Sequence, residues 1–303
     1  MAIGVTSGSE CRAGSLTFEL ETTRDVAYSM DADADPVRHK LDIHRPKDCK
    51  NFPVVFFVHG GGWVQGNKDH FGVYTLLART LARNGIGMVC PNYRLSPRVK
   101  HPEHIRDVAK AFAWTQRNIG KYGGDSNEIF VAGHSAGGHL SALLATDESY
   151  LRAEGLSLKN IKGAMPISGV LIVPSMTLFD PVFGKDPVVR KQASPVSHAG
   201  KQSPPFLILY ADKDLPACDR PGAEALCKAL QDKQCQAQAC EIAPRNHLSI
   251  LLNAAKESDP VMRSMLSFIG SQVVVDRLAA GDCLSVVDEM GLSLARYAAA
   301  VSK

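Results

Sequence analysis

The sequence predicts an α/β fold built on a mostly parallel, eight-stranded sheet with helices on both faces. Short apolar runs rich in β-branched residues alternate with longer helical patterns. Several of the runs, Val54-Val55-Phe56-Phe57-Val58 above all, are apolar at every position, as strands covered on both faces are. No internal repeat or low-complexity linker divides the chain.

In chain order the strand candidates are Asp25–Ser29, Leu41–His44, Val54–His59, Met88–Asn92, Ile129–Ala132, Gly163–Ser168, Pro205–Tyr210 and Gln238–Ala243. Helices are expected between them near Tyr74–Asn84, Glu103–Gln116, Gly138–Ala145 and Gly222–Asp232. Pro102 just before Glu103 marks a helix start, where its missing N–H is not required. Two segments break the rhythm. Between Pro174 and Pro205 the chain also carries Pro181, Pro187, Pro195 and Pro204, and a connection of that length reads as a lid or pocket wall. Beyond Asp259 the chain is helical, and Cys283–Ala300 reads as an amphipathic helix that packs on its own domain or against a second copy in a homodimer. The whole reads as one domain, residues 1–303. Within it stand an N-terminal cap or edge region (1–40), the insertion (174–205) and a C-terminal helical extension (276–303).

Composition narrows the function classes. At 303 residues with 45% hydrophobic side chains, the chain buries enough surface to need neither disulfide nor metal for its core. The 34 Lys and Arg against 31 Asp and Glu leave a charge of +3, too weak to argue for nucleic acid or an anionic membrane. There is no apolar run long enough for a membrane span and no visible signal peptide. Cys218, Cys227, Cys235 and Cys240 crowd one stretch, but gaps of eight, seven and four residues match no zinc pattern. Free thiols or one or two disulfides both fit them, and the chain leans toward a cytoplasmic location.

The strongest local signal is Gly133-His134-Ser135-Ala136-Gly137, a G-x-S-x-G set between a strand candidate and a helix candidate. A serine at such a turn has an exposed Oγ, and the helix N-terminus behind it favours developing negative charge. The bland alternative is a glycine-rich turn with an incidental serine. Upstream, His59-Gly60-Gly61-Gly62-Trp63 follows another strand candidate. Glycines there can turn main-chain N–H groups toward an oxyanion, and one such donor contributes about 3 kcal/mol to a transition state. Gly61 and Gly62, with the amide of Ala136, are the expected donors. A phosphate cradle is the alternative, but G-x-G-x-x-G spacing and a P-loop lysine are missing. His59, at the loop's root, is expected to brace the loop rather than act as a base.

A serine needs a base, and the base needs an acid. Of ten histidines only His247 lies downstream of both Ser135 and the loop Ala211-Asp212-Lys213-Asp214, which offers two carboxylates. His198 comes too early, and between Asp214 and Asp212 the residues alone leave the acid open.

These motifs together resemble the α/β-hydrolase superfamily, specifically esterases grouped with hormone-sensitive lipase and with feruloyl-esterase-like and arylformamidase-like enzymes. The resemblance also draws on Gly66-Asn67-Lys68 and Asn92-Tyr93-Arg94-Leu95-Ser96-Pro97, and it runs from about Leu41 to Phe268. It implies the α/β-hydrolase fold and a catalytic acid last in its loop, hence Asp214. His134 stands where hormone-sensitive-lipase-type esterases usually carry Asp, and only 58 residues precede His59. The Gly-His-Ser-Ala-Gly form is more similar to the feruloyl-esterase-like and arylformamidase-like branch. That implies an accessible pocket under a modest lid, supplied by the N-terminus and the insertion. Trp63 and His134 are candidate substrate-binding residues, though Trp63 packed under the insertion is the alternative.

The expected activity is a serine carboxylesterase for short acyl or aryl esters, acting through Ser135, His247 and Asp214 without metal or organic cofactor. An arylformamidase is the main rival. A non-catalytic small-molecule-binding protein on the same fold is the other, although all three triad positions are filled.

Overall fold

The computed structural model describes residues 18–279, with side chains as far as residue 273. The expected amphipathic helix at Cys283–Ala300 lies outside the described residues. The strands are β1 (Leu20–Ala27), β2 (Lys40–Pro46), β3 (Phe52–Val58), β4 (Gly87–Pro91), β5 (Gly124–His134), β6 (Gly163–Ile167), β7 (Phe206–Lys213) and β8 (Ala237–Asn246). They form one sheet in the order β1-β2-β4-β3-β5-β6-β7-β8. β2 runs antiparallel to both β1 and β4, and the other neighbours are parallel. This is the arrangement of the α/β-hydrolase fold.

The helices are α1 (Val73–Arg83), α2 (Glu103–Asn118), α3 (Ala136–Thr146), α4 (Glu148–Ala153), α5 (Asp180–Phe183), α6 (Pro187–Gln192), α7 (Arg220–Gln231), α8 (Ser249–Ala254) and α9 (Pro260–Ala279). Alternate side chains of β3 feed two separate cores, because successive residues of a strand point to opposite faces. Val54, Phe56 and Val58 meet Ile105, Val108 and Phe112 of α2 and Leu140 of α3 on one face. Val55 and Phe57 meet Leu77 and Leu81 of α1 and Met262, Met265 and Ile269 of α9 on the other. Each such fully buried side chain contributes about 1.5–3 kcal/mol. Spacing tells the helices apart. α1 buries Tyr74, Leu77, Ala78 and Leu81 at three- and four-residue intervals, with Thr80 and Ala82 beside them, and leaves Leu76, Arg79 and Arg83 exposed. α3 buries every residue from Ala136 to Thr146, so it is the central helix.

One expectation is corrected. The first strand spans Leu20–Ala27 rather than Asp25–Ser29, with an irregularity between Thr23 and Val26. It is a polar edge strand, and edge strands carry little apolar signal. The 174–205 insertion packs against the fold. Phe179 and Phe183 stack edge-on against Trp63, with ring centroids 6.0 and 5.0 Å away. His139 of α3 bonds the Ala193 carbonyl through Nε2 at 2.8 Å. Within the insertion, Asp186 caps α6 by accepting the Val188 N–H at 2.8 Å.

Among the described residues no helix is long and apolar enough to cross a membrane. Cys218, Cys227, Cys235 and Cys240 are free thiols.

Candidate active site

Three side chains converge at the carboxyl edge of the sheet, where open α/β sheets bind ligands. Ser135 stands one residue past the end of β5, Asp214 one past β7, and His247 one past β8. The turn at Ser135 is forced by close packing. Its φ of 58° and ψ of −120° are costly for a residue with a Cβ. A Cβ on Gly137 would lie 2.0 Å from the Val58 carbonyl oxygen, so only glycine lets α3 start this close to β3. The Ser135 N–H donates to the Ile167 carbonyl at 3.0 Å, tying the turn to the end of β6.

His247 faces Ser135 with Nε2 at 2.9 Å from Oγ, and its Nδ1 lies 2.6 Å from Asp214 Oδ1. An ionised carboxylate only accepts, so Nδ1 carries the proton and Nε2 presents its lone pair to the hydroxyl. The Asp214 side chain is 0% exposed. Burial alone would raise its carboxyl, but hydrogen bonds from His247, Ser168 and the Ala211 N–H outweigh that and hold it below the ordinary value. Asp212, the other carboxylate of the loop, is exposed and accepts the Arg245 N–H at 2.6 Å, joining the ends of β7 and β8.

The glycine loop lies beside the serine. Gly60 donates its N–H to Tyr74 Oη at 3.2 Å, and among the described residues no protein acceptor takes the N–H of Gly61 or Gly62. Ala136, the expected third donor, stands at the first turn of α3, where main-chain N–H groups lack partners within the helix. Gly61 has φ of 118°, and a Cβ there would lie 2.2 Å from the Gln65 carbonyl oxygen. His59 braces the loop as expected. It is fully buried, stacked on Tyr93 at 4.3 Å, hydrogen-bonded to the Gly60 carbonyl at 2.8 Å, and lowered to about 4 by burial.

A cavity of about 330 Å³ opens at Ser135, walled by the glycine loop with Val64, Tyr74, Leu248 and Leu251, and it contains no Asp, Glu, Lys or Arg. His70 and His134 are its titratable neighbours apart from His247 and Tyr74. Trp63, a candidate for this wall, is 3% exposed and sits under the insertion among Phe179, Phe183 and His139. The insertion itself contributes no lining residue to this cavity, contrary to the expected pocket wall. His134 does line it, and its Nε2 also donates to the His247 carbonyl at 2.7 Å.

Several residues at the site escape sequence reasoning, Val64, Gln65 and His70 of the cavity wall among them. Ser168 touches Asp214, and its signal would have been a serine just past the strand next to β5 in the sheet. Leu251 comes from α8, a helix too short to show periodicity. Among the described residues no group of three or more His, Cys, Asp or Glu is placed to hold a metal ion.

Known proteins similar to this chain include esterases. Esterase LipC of Mycobacterium tuberculosis is 37% identical over 197 residues, covering 57% of this chain and 48% of its own length. Esterase LipQ of the same organism is 31% identical over 252 residues, covering 76% and 58%. The chain thus spans about half the length of these curated relatives. Among solved structures, a truncated carbohydrate esterase from gut microbiota superposes with a TM-score of 0.72 at 20% identity, over 86% of this chain and 98% of that one, and shows the same fold. Residues 41–219, with the glycine loop, the serine elbow and the acid's loop among them, match the BD-FAE family model, and the chain belongs to the BD-FAE family.

Proposed function

We propose that the protein is a serine carboxylesterase that hydrolyses short-chain acyl or aryl esters through an acyl-enzyme. The observation that carries this reading is the continuous chain Asp214–His247–Ser135, with contacts of 2.6 and 2.9 Å in the orientation that proton transfer needs. Ser135 Oγ attacks the ester carbonyl as His247 Nε2 takes its proton. Oxyanion charge falls on the N–H groups of Gly61, Gly62 and Ala136. His247 then returns the proton to the leaving alcohol or phenol. Water, deprotonated by the same nitrogen, attacks the acyl-enzyme and releases the acid. Asp214 holds the tautomer and balances the imidazolium throughout.

Size and lining support the substrate class. A cavity of about 330 Å³ is at the small end of ligand pockets, about 300–1,000 Å³. Its wall carries no charged side chain to pair with an ionic substrate. The names of LipC and LipQ as esterases agree with ester chemistry.

The test is a p-nitrophenyl ester series from acetate to dodecanoate, with N-formylkynurenine alongside, in the unmodified protein and in Ser135→Ala. The highest kcat/KM is expected at acetate to butyrate, and the variant should lose at least about four orders of magnitude in kcat. Near-normal turnover by Ser135→Ala removes this serine as nucleophile, and faster cleavage of the formamide than of any ester overturns the substrate class.

A further inference from the structure

Ser168 carries a buried hydroxyl beside the triad that the proposed reaction leaves without a task. It stands one residue past the end of β6, is 0% exposed, and has φ of 47°, in the left-handed region that favours glycine. Its Oγ lies 2.6 Å from Asp214 Oδ2. Because the carboxylate can only accept, the hydroxyl donates.

Its two neighbours in sequence also touch the site. Ile167 accepts the N–H of Ser135, at 3.0 Å. Gly169 lies so close to α3 that a Cβ there would be 2.8 Å from the Gly138 carbonyl carbon. Three consecutive residues therefore contact the backbone of the candidate nucleophile, the carboxylate of the candidate acid and the helix behind the nucleophile. A glycine at 168 would take this backbone conformation without strain, but it would carry no hydroxyl.

The donors around Asp214 show what the hydroxyl does. Oδ1 takes His247 Nδ1 at 2.6 Å and the Leu215 N–H at 2.9 Å. Oδ2 takes Ser168 Oγ at 2.6 Å and the Ala211 N–H at 3.0 Å. Remove Ser168 Oγ and one oxygen of a buried carboxylate keeps a single main-chain donor. The carboxylate plane then loses the side-chain contact that opposes its rotation, and its negative charge is shared with one donor fewer.

We infer that Ser168 is a positioning residue of the triad, whose hydroxyl holds the Asp214 carboxylate in the rotation that keeps Oδ1 facing His247; this rests on the esterase reading above. Ser168 does not line the cavity at Ser135, so its effect falls on turnover rather than on substrate binding.

The experiment compares Ser168→Ala, which keeps the backbone strain, with Ser168→Gly, which relieves it. Both lack the hydroxyl. The readouts are kcat and KM for p-nitrophenyl acetate, the pH profile of kcat/KM, and labelling by a fluorophosphonate. In both variants kcat is expected to fall about 10- to 100-fold with KM changed by less than about twofold. The acid limb of the profile should move to lower pH, because a carboxylate that turns away from Nδ1 stabilises the protonated imidazole less.

Unchanged kcat and profile in both variants overturns the positioning role. So does recovery in Ser168→Gly alone, which would show that only backbone conformation matters, or a rise in KM at constant kcat. Failure of the unmodified protein to be labelled or to turn over the ester overturns the esterase reading itself, and the positioning role with it. Full labelling with Ser168-independent turnover overturns the positioning role alone.

Discussion

His134 Nε2 donates to the main-chain carbonyl of His247 at 2.7 Å, and the two rings lie 4.7 Å apart. The residue before the serine thus anchors the segment that carries the imidazole, across a sequence separation of 113. Burial lowers His134 to about 4, so at neutral pH it is uncharged and keeps the Nε2 proton that the carbonyl accepts.

Replacing that imidazole frees the segment. In His134→Ala the buried carbonyl loses its donor, which costs about 1–3 kcal/mol of stability. Turnover of p-nitrophenyl acetate should fall about tenfold or more as His247 loses its anchor. A variant with unchanged kcat and unchanged Tm would show that the contact neither orients nor stabilises.

The two carboxylates of the acid's loop should separate cleanly. Asp214→Asn presents an amide to His247 and favours the wrong tautomer, so kcat should drop about 10⁴-fold. Asp212→Asn keeps an oxygen for the Arg245 N–H and should stay within about threefold of the unmodified rate. Steady-state ester hydrolysis measures both. The reverse ranking would transfer the acid's role to Asp212.

Neighbouring glycines of the loop carry different constraints. In Gly61→Ala the new methyl would meet the Gln65 carbonyl at 2.2 Å, and the loop must shift. A loss of about 10²- to 10³-fold in kcat is expected, the size of one lost oxyanion donor. Gly62 has φ of 61° but meets only a Val64 methyl at 3.8 Å, so Gly62→Ala adds local strain of about 1 kcal/mol and a smaller loss. Equal effects at both positions would contradict the packing argument.

Acid should unfold the protein through its histidines. Burial lowers His44, His59, His101, His104 and His134 to about 4 and His139 to about 3. Below about pH 6.5 the unfolded chain binds protons that the folded chain refuses, so stability falls with pH across the window from 6.5 to about 4. At about 1.4 kcal/mol per pH unit and group, a few of these suffice to offset a typical domain's stability. Asp214, held below its ordinary value, adds loss of the same sign at still lower pH. Thermal melts by circular dichroism between pH 7.5 and 4.5 test this, and a flat Tm over that range would refute it.

Much of the site is legible in the sequence because Ser135, Asp214 and His247 each follow a strand that periodicity marks. The parallel strands β3 to β7 are apolar and buried over most of their length, and their positions are read to within a few residues apart from β5, whose polar start Asp125–Glu128 extends it further. β1 is displaced because LETTRDVA is polar at every position from Glu21 to Asp25, as an edge strand can be. Trp63 is ambiguous for a physical reason: an indole beside an oxyanion loop can face substrate or core, and Phe179 and Phe183, more than a hundred residues later, decide for the core. The contacts of His134 and Ser168 with the triad need register between β5, β6 and β7, which no local pattern encodes.

The serine is mounted at the middle of the sheet while the imidazole hangs from β8, an edge strand, much of which is solvent-facing. Margins fray before centres do. On gentle warming, β8 should loosen while β3 and β5 remain intact. Ester hydrolysis would then disappear some degrees below the melting of the molecule as a whole, and return on cooling.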